Sequence, residues 1–294
     1  MDIFATKEEH TQLREGYKVY TKTVGEGDVK LLTIHGGPGL THECFANFPE
    51  YLCLEGVQVV LYDQLGSFHS DQPDDPSLWN LPRFVDELHQ VVVEHALENQ
   101  FVFANSWGAM ILIEYLLKYQ TSFRGVILAG MPASFRKFKQ NIKQLRTRLS
   151  HDVIKQLEEH EREGTTADPA YRQLLFEHWY GRHYCVLKPW PEPLLSGFGH
   201  LAVPVLVSLF GGNAFDFDGP ATSWDRSGYL GKIKTPALLT AGREDLVFEE
   251  DLKFMADRMP NAEWFISPTG GHFCWWKDGE AYFGRLSRFI REHR

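Results

Sequence analysis

Short apolar runs alternate with longer amphipathic stretches along most of the chain. The runs at residues 29–34, 57–62, 101–104, 125–129, 236–240 and 264–266 are bounded by turn residues, and each predicts a buried strand. The stretches at 81–97, 109–119, 249–259 and 280–292 place apolar residues at helical spacing. This alternation predicts an α/β fold with a mostly parallel sheet and helices on both faces. Residues 17–24 alternate in polarity and predict an antiparallel strand at one edge.

The alternation breaks between residues 134 and 232. A charged helical stretch there gives way to aromatic sequence rich in proline and glycine, and we expect helices at 135–163, 170–180 and 201–209. Asp168-Pro169 and the run 190–193 punctuate the segment. We therefore predict a core of residues 1–133 and 233–294 with an inserted helical cap or lid, residues 134–232, which is called the inserted segment below.

Composition excludes several classes of protein. An apolar share of 43% with 23% charged residues describes a globular chain that can bury a large core. The net charge of −9, without any Lys/Arg-rich run, argues against a nucleic-acid partner, because phosphate binding needs clustered cations. The first ten residues lack the order of a signal peptide, and Pro204 interrupts the longest apolar run, so we expect neither a membrane span nor membrane binding.

The four cysteines show neither a CxxC pair nor metal-ligand spacing. Cys44 and Cys53 fall in a segment that we predict to be one helix, where thiols act as small apolar residues. We expect Cys44, Cys53, Cys185 and Cys274 to be free thiols in a reducing cytoplasm. Nothing in the sequence implies a metal or an organic cofactor.

The strongest chemical signal is a strand that runs into Ser106-Trp107-Gly108 and then into a helix. A strained strand-to-helix turn exposes a nucleophilic serine in the G-x-S-x-G pattern, and the turn needs small neighbours. Ala104 replaces the first glycine and adds only a methyl group, so the turn remains feasible. Ser106 is the predicted nucleophile.

A glycine-rich loop directly follows the predicted strand 29–34. It reads His35-Gly36-Gly37-Pro38-Gly39, and its glycines let the backbone approach a reacting carbonyl closely. Backbone N–H groups aimed at a developing oxyanion stabilise acyl-transfer intermediates. We predict the N–H groups of Gly37 and Trp107 as the oxyanion donors.

Two later loops supply a carboxylate and an imidazole. Asp245 follows the predicted strand 236–240 and is the predicted orienting acid, with its neighbour Glu244 as the rival. His272 follows Gly270-Gly271 after the predicted strand 264–266 and is the predicted base. The chain order Ser, Asp, His is that of the α/β-hydrolase fold. Serine at position 106 excludes the epoxide hydrolase and dehalogenase mechanisms, which need an aspartate there.

These residues resemble the proline iminopeptidases and the related tricorn-interacting aminopeptidases and amino-acid amidases. The likeness covers nearly the whole chain and rests on 35–39, 62–67, 70–71, 105–108 and 271–272, with weaker support from 190–192 and 223–226. It implies an enzyme that releases one N-terminal residue, often proline, from a peptide or amide beneath a helical lid.

The chain departs from that family where a free substrate amine would bind. The resemblance implies one acid in an Asn-Glu-Phe-like stretch of the lid and one directly after the triad acid, and these positions read Ala214 and Leu246. A buried ammonium without a counter-charge costs several kcal/mol. Candidate replacements are Asp216, Asp218, Glu43 and Glu177, and the aromatic residues expected to wall a pocket are Phe176, Trp179, Tyr180, Phe198 and Phe215, above Trp107.

Three functions follow as hypotheses. The leading one is a serine aminopeptidase or amidase that acts on small peptides or amino acid amides. The second is a carboxylesterase, lactonase or amidase for an uncharged small molecule, because the amine-binding acids are replaced. The third is a non-catalytic binding protein on a hydrolase scaffold, which the complete Ser-Asp-His set disfavours.

Overall fold

The structure is a computed structural model that describes residues 4–119 and 122–294. Its strands form one eight-stranded sheet. They are β1 Thr6–Gln12, β2 Lys18–Val24, β3 Val29–Ile34, β4 Val57–Tyr62, β5 Phe101–Asn105, β6 Gly125–Ala129, β7 Ala237–Gly242 and β8 Ala262–Ser267. The order across the sheet is β1-β2-β4-β3-β5-β6-β7-β8. β2 is antiparallel to both β1 and β4, and all the other neighbours are parallel.

Helices fill the connections. They are α1 Phe48–Leu52, α2 Leu81–Glu94, α3 Trp107–Tyr119, α4 Phe135–Arg146, α5 His151–Glu163, α6 Pro169–Leu175, α7 Gly181–His183, α8 Glu192–Gly199, α9 Val203–Phe210, α10 Glu249–Ala256, α11 Cys274–Lys277 and α12 Gly279–Glu292. Single turns of 3₁₀ helix lie at His42–Phe45, Cys53–Glu55, Pro76–Leu78, Pro220–Ser223 and Leu230–Lys232, and a π-helical turn lies at Phe176–Tyr180. The named elements between β6 and β7 are all helical.

The strands divide their side chains between two cores because successive residues point to opposite faces. In β5, Val102 and Ala104 join the core that contains α2 and α3. Phe101 and Phe103 join the core that contains α1 and α12. The predicted fold class is therefore confirmed. The division into a core and an inserted cap stays a prediction.

The N-terminal half departs from prediction in two places. Residues 18–24 form the antiparallel strand β2, but the edge itself is β1, a strand of mostly exposed polar residues without an apolar alternation that would mark it. The segment with Cys44 and Cys53 is not one helix. Pro49 lies in the first turn of α1, where its missing N–H is tolerated, and a proline inside a longer helix would break it. The four cysteines are free thiols.

The inserted segment contains more breaks than its pattern predicts. The expected helix 135–163 is two helices, because Ser150 accepts a hydrogen bond from the Val153 N–H and caps a new start. The expected helix 170–180 ends at Leu175 and continues as the π-helical turn. The run 190–193 precedes and enters α8, since proline fits a first helical turn.

Among the described residues, no single helix has the length and apolar character needed to cross a bilayer. The helices α8 and α9, bent by 73° relative to each other, have that length and composition only as a pair.

Candidate active site

Ser106 lies at the sharp turn between β5 and α3. Its φ is +54°, in the left-handed region that a non-glycine residue rarely adopts. The Ser106 N–H donates to the Ala129 carbonyl of the neighbouring strand at 2.8 Å, which holds the turn against β6. Strained backbone of this kind is typical of a nucleophile elbow.

Asp245 and His272 meet beside the carboxyl ends of β7 and β8. The His272 Nδ1 lies 2.8 Å from the Asp245 Oδ1, and both residues are buried. The same carboxylate accepts a hydrogen bond from the Leu246 N–H at 2.6 Å. A carboxylate can only accept here, so the Nδ1 carries the proton and the Nε2 is left as a base. The side chain of the rival Glu244 pairs instead with Arg182 at 3.6 Å.

Gln64 connects the glycine-rich loop to α3, the helix that follows Ser106. The Gln64 N–H donates to the His35 Nε2 at 3.0 Å, so the His35 Nδ1–H donates to the Gly36 carbonyl. The Gln64 Oε1 accepts from the Trp107 Nε1–H at 2.9 Å. His35 is fully buried, and burial lowers its pKa to about 4. These hydrogen bonds hold the neutral His35 ring in place at the start of the loop.

The predicted oxyanion donors are the N–H groups of Gly37 and Trp107. Gly37 lines a cavity together with Ser106 and His272. Trp107 is the first residue of α3, so its N–H is one of the four without an intrahelical acceptor. A helix start favours negative charge because of these free N–H groups.

The cavity has a volume of about 260 Å³ and a mainly apolar wall. The apolar part consists of Leu40, Phe138, Leu175, Phe198, Leu201, Val203, Leu206, Val207, Phe210, Ala214, Phe217 and Phe273, and the hydroxyl groups come from Ser106, Thr166, Tyr171, Tyr180 and Tyr184. Among residues 4–119 and 122–294, no Asp or Glu lines the cavity, and Arg172 is the single Lys or Arg that does. The arrangement suits a small apolar group next to Ser106.

Of the predicted pocket residues, Tyr180 and Phe198 line this cavity. Trp179 and Phe215 lie outside its wall and pack against each other, with ring centroids 4.8 Å apart. Phe176 contacts Trp190 instead. Trp179 and Phe215 are buried and belong to a hydrophobic core, whereas Phe176 is 40% exposed.

The four acids considered as replacements for the amine-binding carboxylates also lie outside the cavity wall; they are Glu43, Glu177, Asp216 and Asp218. Glu43 accepts hydrogen bonds from the Ser196 hydroxyl at 2.7 Å and pairs with His200 at 2.9 Å. Asp216 is largely exposed and pairs with Lys139 at 3.3 Å. Leu246 is fully buried, and Ala214 contributes to the wall. Glu43 and Asp216 are therefore engaged by Ser196, His200 and Lys139, outside the cavity wall.

Two contacts of the base loop were not predicted from the sequence. The His272 N–H donates to the His183 carbonyl at 2.7 Å, and the Phe273 N–H donates to the Tyr184 carbonyl at 2.8 Å. Gly130 packs directly against the His272 ring. Local sequence around residue 183 carries no signal for such a contact.

Among the described residues, no group of three or more His, Cys, Asp or Glu side chains is placed to hold a metal ion.

Comparison with known proteins defines the family. The family model described as alpha/beta hydrolase fold matches residues 30–278. A proline iminopeptidase of Elizabethkingia meningoseptica is 34% identical over 281 residues, 94% of each chain. The crystal structure of VinJ superposes with a TM-score of 0.92 at 24% identity, over 98% of this chain and 99% of that one. The proline iminopeptidase of Mycobacterium smegmatis gives 0.88 at 24% identity, over 98% of both chains. The chain belongs to the proline iminopeptidase family of α/β-hydrolase-fold proteins.

Proposed function

We propose that the chain is a serine hydrolase with Ser106 as nucleophile, His272 as base and Asp245 as orienting acid. The observation that carries the proposal is the 2.8 Å bond between the buried Asp245 carboxylate and the His272 Nδ1. That bond leaves the Nε2 free to accept a proton. The strained φ of Ser106, at the wall of a cavity that His272 also lines, supports the same assignment.

The reaction runs in two half-reactions. Ser106 Oγ attacks the substrate carbonyl while the His272 Nε2 takes the hydroxyl proton, and the N–H groups of Gly37 and Trp107 stabilise the oxyanion. The bond to the leaving group breaks as His272 returns the proton to that group, which leaves an acyl-enzyme. Water then attacks the ester while the His272 Nε2 takes its proton, and the bond to the Ser106 Oγ breaks as His272 returns that proton to the Oγ. The acid product is released and Ser106 is restored.

We infer that the acyl group is an N-terminal residue, proline or another small apolar one, from a short peptide or amino acid amide. The relatives named proline iminopeptidase support this substrate class. The small, mainly apolar cavity beside Ser106 suits it. A reducing cytoplasm fits the four free thiols.

A second candidate function is hydrolysis of an uncharged ester, lactone or amide. The specific observation is the cavity wall, to which the described part of the chain contributes no Asp or Glu. Ala214 occupies a position where the family resemblance implies an acid, and Leu246 is buried. An ammonium in such a cavity would lack a counter-charge, which costs several kcal/mol.

A paired substrate panel separates the two. Prolyl and alanyl arylamides are compared with their N-acetylated partners and with uncharged esters of the same acyl size. The aminopeptidase proposal expects the free amines to have a kcat/KM at least about tenfold above the acetylated partners, a difference of about 1.4 kcal/mol. Equal or faster turnover of the acetylated amides or the esters rejects it in favour of the second candidate.

A further inference from the structure

His183 belongs to α7 in the inserted segment, yet its side chain reaches the loop that carries Asp245. The ring is 1% exposed, and its Nδ1 lies 2.7 Å from the carbonyl oxygen of Glu244. A carbonyl oxygen only accepts, so the Nδ1 carries the proton and donates it. The side chain therefore anchors the residue that directly precedes the proposed orienting acid.

The backbone of the same residue holds the loop of the proposed base. The His183 carbonyl accepts from the His272 N–H at 2.7 Å, and the next carbonyl, that of Tyr184, accepts from the Phe273 N–H at 2.8 Å. Gly271 makes this approach possible, because a Cβ there would lie 2.5 Å from the His183 carbonyl oxygen. Residues 183 and 184 thus contact both catalytic loops at once.

Packing alone does not explain why a polar imidazole rather than an apolar ring occupies position 183. Its Nε2 is buried without a hydrogen-bond partner among the described residues, and the ring lies edge-on to Trp179 with centroids 4.6 Å apart. Burial lowers the pKa of His183, which keeps the ring neutral. A buried unpaired nitrogen destabilises the folded state, and an apolar ring would avoid that cost. The bond to Glu244 is what histidine adds at this position.

We propose that His183 is a positioning residue that sets the spacing between Asp245 and His272 by clamping their two loops to the inserted segment. The inference rests on the proposed function, in which these two residues act as acid and base. The loop that precedes His272 contains Gly270 and Gly271, which have no side chain to pack against a neighbour. A displacement of about 1 Å between reacting groups lowers rates about 100-fold, so a clamp here affects turnover more than binding.

Three substitutions separate the hydrogen bond from the shape of the ring. His183→Asn keeps an N–H donor near the position of the Nδ1, whereas His183→Gln carries its amide farther out. His183→Phe keeps a ring and removes the donor. His95→Phe is the control, because His95 is a partly buried histidine that bonds the Thr11 hydroxyl at the C-terminal end of α2, away from the cavity wall.

The readouts are the rate constant of inactivation by a fluorophosphonate, and kcat and KM on the best arylamide, with thermal unfolding as the check on folding. We expect the Phe and Gln variants to lose at least about tenfold in both the inactivation rate and kcat, with KM within about threefold. The Asn variant and His95→Phe stay within about threefold of wild type.

Three results overturn the proposal: a His183→Phe protein within about twofold of wild type, a loss confined to KM, or equal impairment of the Asn and Gln variants. If His183→Phe does not fold, the Asn and Gln pair decides the question alone, because both keep a polar amide. Wild-type protein that the probe does not label rejects the proposed function and this inference together. Labelled wild type with unimpaired His183→Phe rejects this inference alone.

Discussion

Gly130 follows β6 at the carboxyl edge of the sheet and backs directly onto the ring of His272. Its φ is +67°, and a Cβ at this position would lie 2.6 Å from the His272 Cε1 and 2.8 Å from the Nδ1. An ordinary contact begins at about 3.4 Å, so the substitution Gly130→Ala requires the ring to move by about 0.8 Å. That movement acts on the same Nδ1 that lies 2.8 Å from Asp245.

The expected loss follows from the size of this displacement. A shift near 1 Å in a catalytic group lowers the rate about 100-fold, which corresponds to about 2.7 kcal/mol at 1.36 kcal/mol per tenfold. Alanine in the left-handed region also costs about 1–2 kcal/mol of stability. We therefore expect Gly130→Ala to remain folded and to lose about two orders of magnitude in kcat/KM on its best arylamide.

Gly164 provides a matched control for the backbone strain. Its φ is +68°, and nothing lies within 4 Å of the Cβ that alanine would add. Urea unfolding is expected to show a loss of stability for both Gly164→Ala and Gly130→Ala, larger for Gly130→Ala because of its contact with His272, while only Gly130→Ala loses activity. Activity of Gly130→Ala within about threefold of wild type, or an equal loss in Gly164→Ala, would refute the reasoning.

Three further predictions concern other parts of the chain. Burial lowers the pKa of His35 to about 4, whereas the same histidine in the unfolded chain has a pKa near 6.5. As the pH drops from 6.5 to 4, the unfolded state therefore binds a proton that the folded state does not, and the free energy of unfolding falls. We expect this histidine to contribute up to about 3 kcal/mol of that fall, and urea unfolding at pH 7 and 4.5 should show a smaller fall for His35→Gln. Arg83→Met leaves the fully buried Glu87 carboxylate without its cationic partner, although the Tyr62 hydroxyl and the Leu65 N–H still donate to it, so the unfolding free energy should drop by about 3–5 kcal/mol. Adding Glu87→Leu removes the buried charge and should restore part of that loss, because these two donors then lose their acceptor. Arg172→Glu should raise KM about threefold for a dipeptide with a free C-terminal carboxylate relative to its amide, because the exposed Arg172 is the single Lys or Arg that the described residues contribute to the cavity wall.

The sheet and the three loops of the candidate site follow from local sequence patterns. Glycines and strand ends mark where Ser106, Asp245 and His272 lie, and parallel strands bring their carboxyl ends to one edge. The structure places Asp245 and His272 within hydrogen-bonding distance, as expected from their chain positions.

The cavity wall and the clamp could not be predicted in the same way. Phe215 and Tyr180 are both aromatic residues of the inserted segment, but one packs inward and the other lines the cavity, and only the path of the helices decides which. His183 contacts Glu244 across 61 positions of sequence, so no local motif reveals it. The edge strand β1 was missed because exposure on an outer strand removes the apolar alternation.

The account depends most on Ser106 as the nucleophile. Peptide mapping after reaction with a fluorophosphonate tests this directly, with intact mass to count the adducts. The prediction is one adduct per chain, located on Ser106, and neither adduct nor turnover in Ser106→Ala. An adduct on another residue, or a Ser106→Ala protein that still turns over the arylamide, would contradict the assignment.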